Sequence, residues 1–371
     1  MTEMTSRTRI LNAIAGKETD KLPFCPFLAY YWETLPASVR ERGQFEYMRR
    51  MGADPLLRGF HRLSTPVFNR CEVTQREDAH TRRVDYDTPV GKLHAEYRHS
   101  SDGNTWFLTE HPVTKEEDFK VLAYLHEHMS LRYEPEAAEE EHRAIGEQGV
   151  LLPTIGVMDK TAFQSLVEYW CGTQALIYAL CDFPEAVEEA LHVMRLRDRE
   201  TVVNAASSDF DGFIFWEDSS TTNISPSLHE RYVLPQINEW GDTLHANGKI
   251  LVHHGCGHVR DLMPLISREH IDALESLSPP PTGNISLADA RKALNPSIAI
   301  IGGIEPTVLL NSGMEALEAY VIQALRDTQG TRYVPANADS CPPGVTEEKF
   351  ARITQLVHGY KAAGKGCGEN G

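Results

Sequence analysis

Lys249-Ile250-Leu251-Val252-His253-His254-Gly255-Cys256-Gly257 is an apolar run that follows a break at Gly248 and ends in two histidines and a cysteine. A short apolar run after such a break reads as a buried strand, and His254-x-Cys256 at its carboxyl end aims an imidazole and a thiol at one place. Taken alone, such a pair is more often a core histidine beside a buried thiol than a metal site. A metal site needs a further ligand. Cys341, just past a second short strand at 331–335, supplies one if both strands belong to one barrel.

Outward from that stretch the pattern alternates. Strand 212–216, helix 227–247, strand 249–252, helix 258–266, strand 271–274, helix 287–294, strand 298–301, helix 314–327, strand 331–334 and helix 346–361 follow one another. Alternation at this spacing means parallel strands joined by right-handed crossovers. Adding strands at 22–29, 53–59 and 150–157 gives about eight, which predicts an α/β fold, a closed (β/α)8 TIM barrel, as one domain spanning 1–371. No Gly-x-Gly-x-x-Gly opens the first strand-to-helix turn, which argues against a dinucleotide fold. In such a barrel the reactive residues stand at the carboxyl ends of strands, where Glu217, Asp218, His254, Cys256 and Cys341 all fall.

Ahead of the barrel, Ser6 is placed to cap a helix carrying Ile10, Leu11 and Ile14 on one face and stopped by Gly16. Residues 36–51, 116–147 and 161–180 have helical spacing, and Asp182-Phe183-Pro184 starts another helix. Between 71 and 112 the period changes to alternation around Thr88-Pro89-Val90-Gly91, which reads as an inserted β-hairpin.

The chain has 371 residues, 41% of them hydrophobic and 24% charged, enough apolar material for a sizeable core. A formal charge of −17 argues against nucleic acid or an anionic membrane as partner, since both are bound through Lys and Arg. No apolar run approaches the roughly 18 residues of a membrane span, so a cytoplasmic protein is expected. Seven scattered cysteines fit reduced thiols better than a disulfide framework. Cys25, Cys71, Cys171, Cys181 and Cys367 have no paired spacing and are read as thiols.

The motifs carry a family resemblance over nearly the full length. They are the opening helix with Arg7, Asn12 and Ala13 leading to Asp20-Lys21-Leu22-Pro23; Thr88-Pro89-Val90-Gly91; Trp216-Glu217-Asp218 with Ile224-Ser225-Pro226; His254-Gly255-Cys256-Gly257; Gly302-Gly303-Ile304-Glu305-Pro306; and Cys341-Pro342-Pro343. The chain resembles the uroporphyrinogen decarboxylase superfamily and, within it, the zinc-dependent, corrinoid-linked methyltransferases. The resemblance implies a zinc site of His-x-Cys…Cys type, matched by His254, Cys256 and Cys341. True decarboxylases of this fold carry an Arg-Gln-Ala-Gly-Arg segment near the N-terminus for the porphyrinogen carboxylates. Phe27-Leu28-Ala29-Tyr30-Tyr31-Trp32 stands in its place here.

Two thiolates and one imidazole leave a neutral zinc site with an exchangeable fourth position. Glu217 is expected to fill it at rest, and Asp218 is expected as a catalytic residue that orients His254. His253 and His258 read as structural or rim residues. Phe27, Tyr30, Tyr31 and Trp32 are expected to line a pocket for a flat methyl donor, with core packing as the competing role.

The expected function is therefore zinc-dependent transfer of a methyl group between a small methylated compound, a methoxylated aromatic before others, and cobalamin. No Asp-x-His-x-x-Gly cobalamin motif occurs in the chain, so a partner corrinoid protein is expected to bring that cofactor; the resemblance also allows a homodimer. The competing readings are methylcobalamin-dependent thiol methylation, a decarboxylating lyase and a non-catalytic zinc protein.

Overall fold

The computed structural model describes residues 3–101 and 105–361; Cys367 lies outside them. In chain order the strands are β1 (Leu56–Arg62), β2 (Ser64–Phe68), β3 (Glu72–Glu77), β4 (Thr81–Thr88), β5 (Gly91–Ser100), β6 (Thr105–Glu110), β7 (Met129–Tyr133), β8 (Val150–Thr154), β9 (Gly212–Trp216), β10 (Ile250–His254), β11 (Ala273–Leu277), β12 (Ala299–Ile304) and β13 (Tyr333–Asn337). Seven of them form one sheet in the order β1-β8-β9-β10-β11-β12-β13, and every pairing in it is parallel. The helices between them supply the crossovers that parallel neighbours require.

The expected strand at 22–29 is extended chain without a ladder. It lies between β13 and β1, where Cys25 N–H donates to Pro335 O at 3.0 Å and Phe24 O accepts from Asp54 N–H at 2.8 Å. Asn337 adds two bonds to the backbone of Phe27, at 2.9 and 2.8 Å. Pro23 and Pro26 have no N–H to give, so a continuous ladder cannot form there. The sheet still curls around a shared interior. Leu56, Val150, Leu152, Ile214, Val252, Ala273, Ala299, Ile301, Val334 and Ala336, drawn from all seven strands, cluster with Cys25 and with Ile10, Ala13 and Ile14.

Those last three belong to the N-terminal helix Ser6–Ala15, whose apolar face packs against that interior. Its cap is Thr5 and not Ser6. Thr5 Oγ1 accepts from Thr8 N–H at 3.1 Å, while Ser6 Oγ donates to Asp54 at 2.7 Å, and Gly16 ends the helix at φ 68°.

The insertion at 71–112 is larger than a hairpin. It is a four-stranded antiparallel meander, β3-β4-β5-β6, and a separate pair, β2 with β7, lies beside it in sequence. Three expected helices are interrupted. Residues 36–51 break at Gly43, φ 81°, into Ala37–Arg40 and Gln44–Arg50, and residues 161–180 break at Gly172, φ 78°. Residues 116–147 are split into Glu116–Glu127 and Glu136–Ile145 by β7, whose Met129-Ser130-Leu131 pairs with Pro66-Val67-Phe68. Among the described residues no helix is long and apolar enough to cross a membrane.

Candidate metal centre

Side chains alternate along a strand, so on β10 Ile250, Val252 and His254 face the interior while Leu251 and His253 face the surrounding helices. His254 is the last residue of β10, level with Trp216 on one side and Glu275 on the other. Its Nδ1 lies 2.5 Å from Glu275 Oε2, and Glu275 Oε1 accepts from Arg58 Nε at 2.9 Å. All three side chains are buried. With Nδ1–H donated to a carboxylate, Nε2 is the nitrogen left to bind, and its tautomer and tilt are fixed.

Nε2 stands 3.3 Å from Asp218 Oδ1, and the same oxygen lies 3.5 Å from Cys256 Sγ. One donor atom each from Asp218, His254 and Cys256 falls within 4.8 Å of the other two, a group able to hold a metal ion. The other carboxylate oxygen of Asp218 is 3.0 Å from Lys160 Nζ, which also pairs with Glu168. The chain reaches this arrangement through two tight turns. Asp218 adopts φ 51°, and Gly257, φ 86°, turns the loop so closely that a Cβ there would meet Ser220 Oγ at 3.2 Å.

The electrostatics favour a cation at the convergence point. Burial opposes charge on His254, but the Glu275 carboxylate and the bonds from Asp218, Cys256 and Glu275 outweigh it and raise its pKa well above the ordinary value. Burial likewise opposes ionisation of Asp218, yet the bond and charge of His254, together with Lys160, hold its carboxyl below the usual range. Burial pushes the Cys256 thiol up, against the pull of His254. A site that stabilises a proton among one imidazole, one carboxylate and one thiol has donors and field suited to a divalent metal ion.

Asp218 and His254 open onto a cavity of about 320 Å³ lined by Phe27, Met158, Lys160, Tyr169 and Trp216, with the carboxylates of Asp159, Glu168, Asp218 and Asp339. Trp216 meets His254 edge-on, with centroids 4.6 Å apart, and stacks on Phe27 at 5.8 Å. Gly59 makes this possible, since a Cβ there would lie 1.9 Å from Trp216 Cζ2.

Of the residues expected from sequence, His254, Cys256 and Asp218 come together, and Glu217 and Cys341 do not join them. Glu217 points out of the barrel and accepts from Thr161 N–H at 2.9 Å and Thr161 Oγ1 at 2.7 Å; burial, opposed by those bonds, pushes its carboxyl up to about 8. Alternation from inward Ile214 through Trp216 to Asp218 carries the signal that Asp218 is the inward residue. Cys341 is fully buried beneath the segment after the first extended stretch. Its N–H donates to Phe27 O at 3.0 Å, and its carbonyl accepts from Tyr31 N–H at 2.9 Å.

The aromatic lining also differs. Tyr31 and Trp32 are core residues, 4% and 7% exposed, with Tyr31 bonded to Tyr47 at 2.7 Å, while Tyr30 is 59% exposed; of the expected aromatics only Phe27 lines the cavity, joined by Tyr169 and Trp216. His253 lies outside the metal group, bonded to Glu269, and His258 engages the loop through its backbone. Arg58, Lys160, Glu168 and Glu275 belong to no motif in the sequence. Glu275, two residues beyond inward Ala273 and beside His254 in the register, and Arg58, two beyond inward Leu56, are the ones that alternation reveals.

The family model for uroporphyrinogen decarboxylase (URO-D) matches residues 111–360, well over half of the chain. This protein belongs to the uroporphyrinogen decarboxylase family. Its similarity to the chloroplastic uroporphyrinogen decarboxylase of Nicotiana tabacum is 23% identity over 148 residues, 39% of this chain and 36% of that protein. The matched stretch thus spans little more than a third of that relative's length. Among solved structures, a methyltransferase from Methanosarcina mazei superposes with a TM-score of 0.62 at 13% identity, over 96% of this chain and 98% of that one. At that identity the likeness is one of fold alone, and it covers nearly the whole chain.

Proposed function

We propose that this member of the family is a zinc-dependent methyltransferase. In this reading it moves a methyl group between a small methylated compound, a methoxylated aromatic before others, and the cobalamin of a partner corrinoid protein. The observation that carries the reading is the Asp218–His254–Cys256 group, two of whose members, Asp218 and His254, line an aromatic-walled cavity. Zinc bound there would act as a Lewis acid toward an ether oxygen and make a phenolate a better leaving group. Glu275 keeps His254 Nε2 facing the group, and Lys160 holds the second oxygen of Asp218, so one oxygen is left for the metal. Phe27, Tyr169 and Trp216 offer flat faces to an aromatic ring.

The cavity's charges weigh against a polycarboxylate substrate. Four carboxylates line it, and Lys160 is already committed to Asp218 and Glu168. A porphyrinogen would bring more negative charge with no free counter-charge among the described lining residues to meet it.

The test is a turnover screen of the zinc-loaded protein. Methoxyarenes are offered with cob(I)alamin, free or on a corrinoid protein, and thiols are offered with methylcobalamin. Demethylation of a methoxyarene that disappears on chelation is expected. Thiol methylation without ether cleavage would replace the substrate but keep the class, and decarboxylation of a porphyrinogen by metal-free protein would overturn the proposal.

A further inference from the structure

Asp218 is the only inward residue in Glu217-Asp218-Ser219, and both of its neighbours are tied down on the outer side of the barrel wall. Glu217 takes two bonds from Thr161. Ser219 Oγ lies 3.0 Å from His253 Nε2, His253 Nδ1 lies 2.6 Å from Glu269 Oε2, and Glu269 Oε1 lies 2.9 Å from His229 Nε2. Because Glu269 accepts the Nδ1–H, His253 Nε2 is the acceptor for the Ser219 hydroxyl, which sets the direction of the chain. Glu217, Ser219, His253, Glu269 and His229 are all buried.

A polar chain so deep in an apolar layer is costly unless each member is satisfied, and Leu251, on the same outer face of β10, shows that an apolar side chain packs there well. Its location is informative. His253 and His254 are adjacent, face opposite sides of the wall, and are each anchored by a glutamate, Glu269 outside and Glu275 inside. The inner anchor aims a donor of the metal group, and the outer one ends on the residue next to another donor. Between the two outer ties Asp218 is kept at φ 51°, in the left-handed region that few non-glycine residues adopt.

We propose that Ser219, His253, Glu269 and His229 form a positioning relay that holds Asp218 in its left-handed turn, so that its carboxylate meets His254 and Cys256 before metal arrives. The inference rests on Asp218 being a metal donor. The relay touches neither metal nor substrate; it acts through the backbone of residues 217–219. It assigns a role at the metal centre to side chains on the far side of the barrel wall.

The experiment measures zinc affinity by competition with a chromophoric chelator, together with the thermal midpoint of the metal-free protein. Full-length wild type, Asp218→Asn, Ser219→Ala, Ser219→Thr and Glu269→Gln are compared. Ser219→Ala and Glu269→Gln are expected to weaken zinc binding about 10- to 100-fold, the range of supporting residues behind metal ligands. Ser219→Thr, which keeps the hydroxyl, is expected to restore it. A merely structural role would lower the midpoints and leave affinity unchanged in the folded variants, and that result overturns the relay. Loss of binding in Asp218→Asn with wild-type affinity in Ser219→Ala overturns the relay alone. Wild-type affinity in Asp218→Asn overturns the metal assignment of Asp218 and the relay with it.

Discussion

The lower and upper halves of the barrel interior are built by the same strands and differ by one step of two residues. Leu56, Val252 and Ala273 belong to an apolar cluster closed by Ile10, Ala13 and Ile14. Two residues further along each strand stand Arg58, His254 and Glu275, buried and joined in one line that continues to Asp218. The lower half has the composition of a core selected for packing. The upper half places charges where burial penalises them, and ion pairs of that kind are often no more stabilising than well-packed apolar side chains of similar volume. In the proposed function the lower half holds the sheet together and the upper half supplies the chemistry.

Substitutions that treat the halves differently sharpen this contrast. The largest effect is expected from Glu275→Ala, which strands Arg58 in a dry interior and removes the acceptor from His254 Nδ1. It should cost about 3–5 kcal/mol in denaturant unfolding and weaken metal binding as well. The double replacement Arg58→Met with Glu275→Leu removes both charges together, and stability is expected to be unchanged or higher. Zinc affinity should still fall about 10- to 100-fold, because His254 loses its orienting partner. A large loss of stability in the double variant would break the comparison, since it would make the ion pair structural. Smallest is Ile301→Val in the lower cluster, which should cost about 0.5–1.5 kcal/mol and leave metal affinity at the wild-type value.

Much of the barrel was readable because its signal is local. Seven parallel strands fall where apolar runs alternate with helical spacing, and the N-terminal helix stops at Gly16 as expected. The eighth position was misread because Leu22 to Ala29 has the apolar content of a strand while Pro23 and Pro26 deny it the donors. The helix breaks at Gly43 and Gly172 are single-residue events inside otherwise helical periodicity.

At the site, His254 and Cys256 were legible from their position past a strand end. Counting alternation from Ile214 places Asp218 and not Glu217 inward, so that information was present in the sequence. Cys341 was different. Its placement depends on how the loop after β13 folds back, with Asp339 at φ 67° and backbone bonds linking Cys341 to Phe27 and Tyr31, and no local pattern encodes those contacts. Lys160 meets Asp218 from the loop that follows β8, and Glu168 joins through Lys160 from the helical segment Leu166–Trp170, a tertiary contact of the same kind.

The central claim is that the metal group consists of one carboxylate, one imidazole and one thiolate. X-ray absorption at the zinc edge of the loaded protein counts the sulfur ligands directly. One sulfur at about 2.3 Å with the remaining ligands nitrogen or oxygen at about 2.0–2.2 Å is the predicted result, and it should be unchanged in Cys341→Ser. Two sulfurs in the wild type, falling to one in Cys341→Ser, would contradict the account and place Cys341 in the coordination sphere.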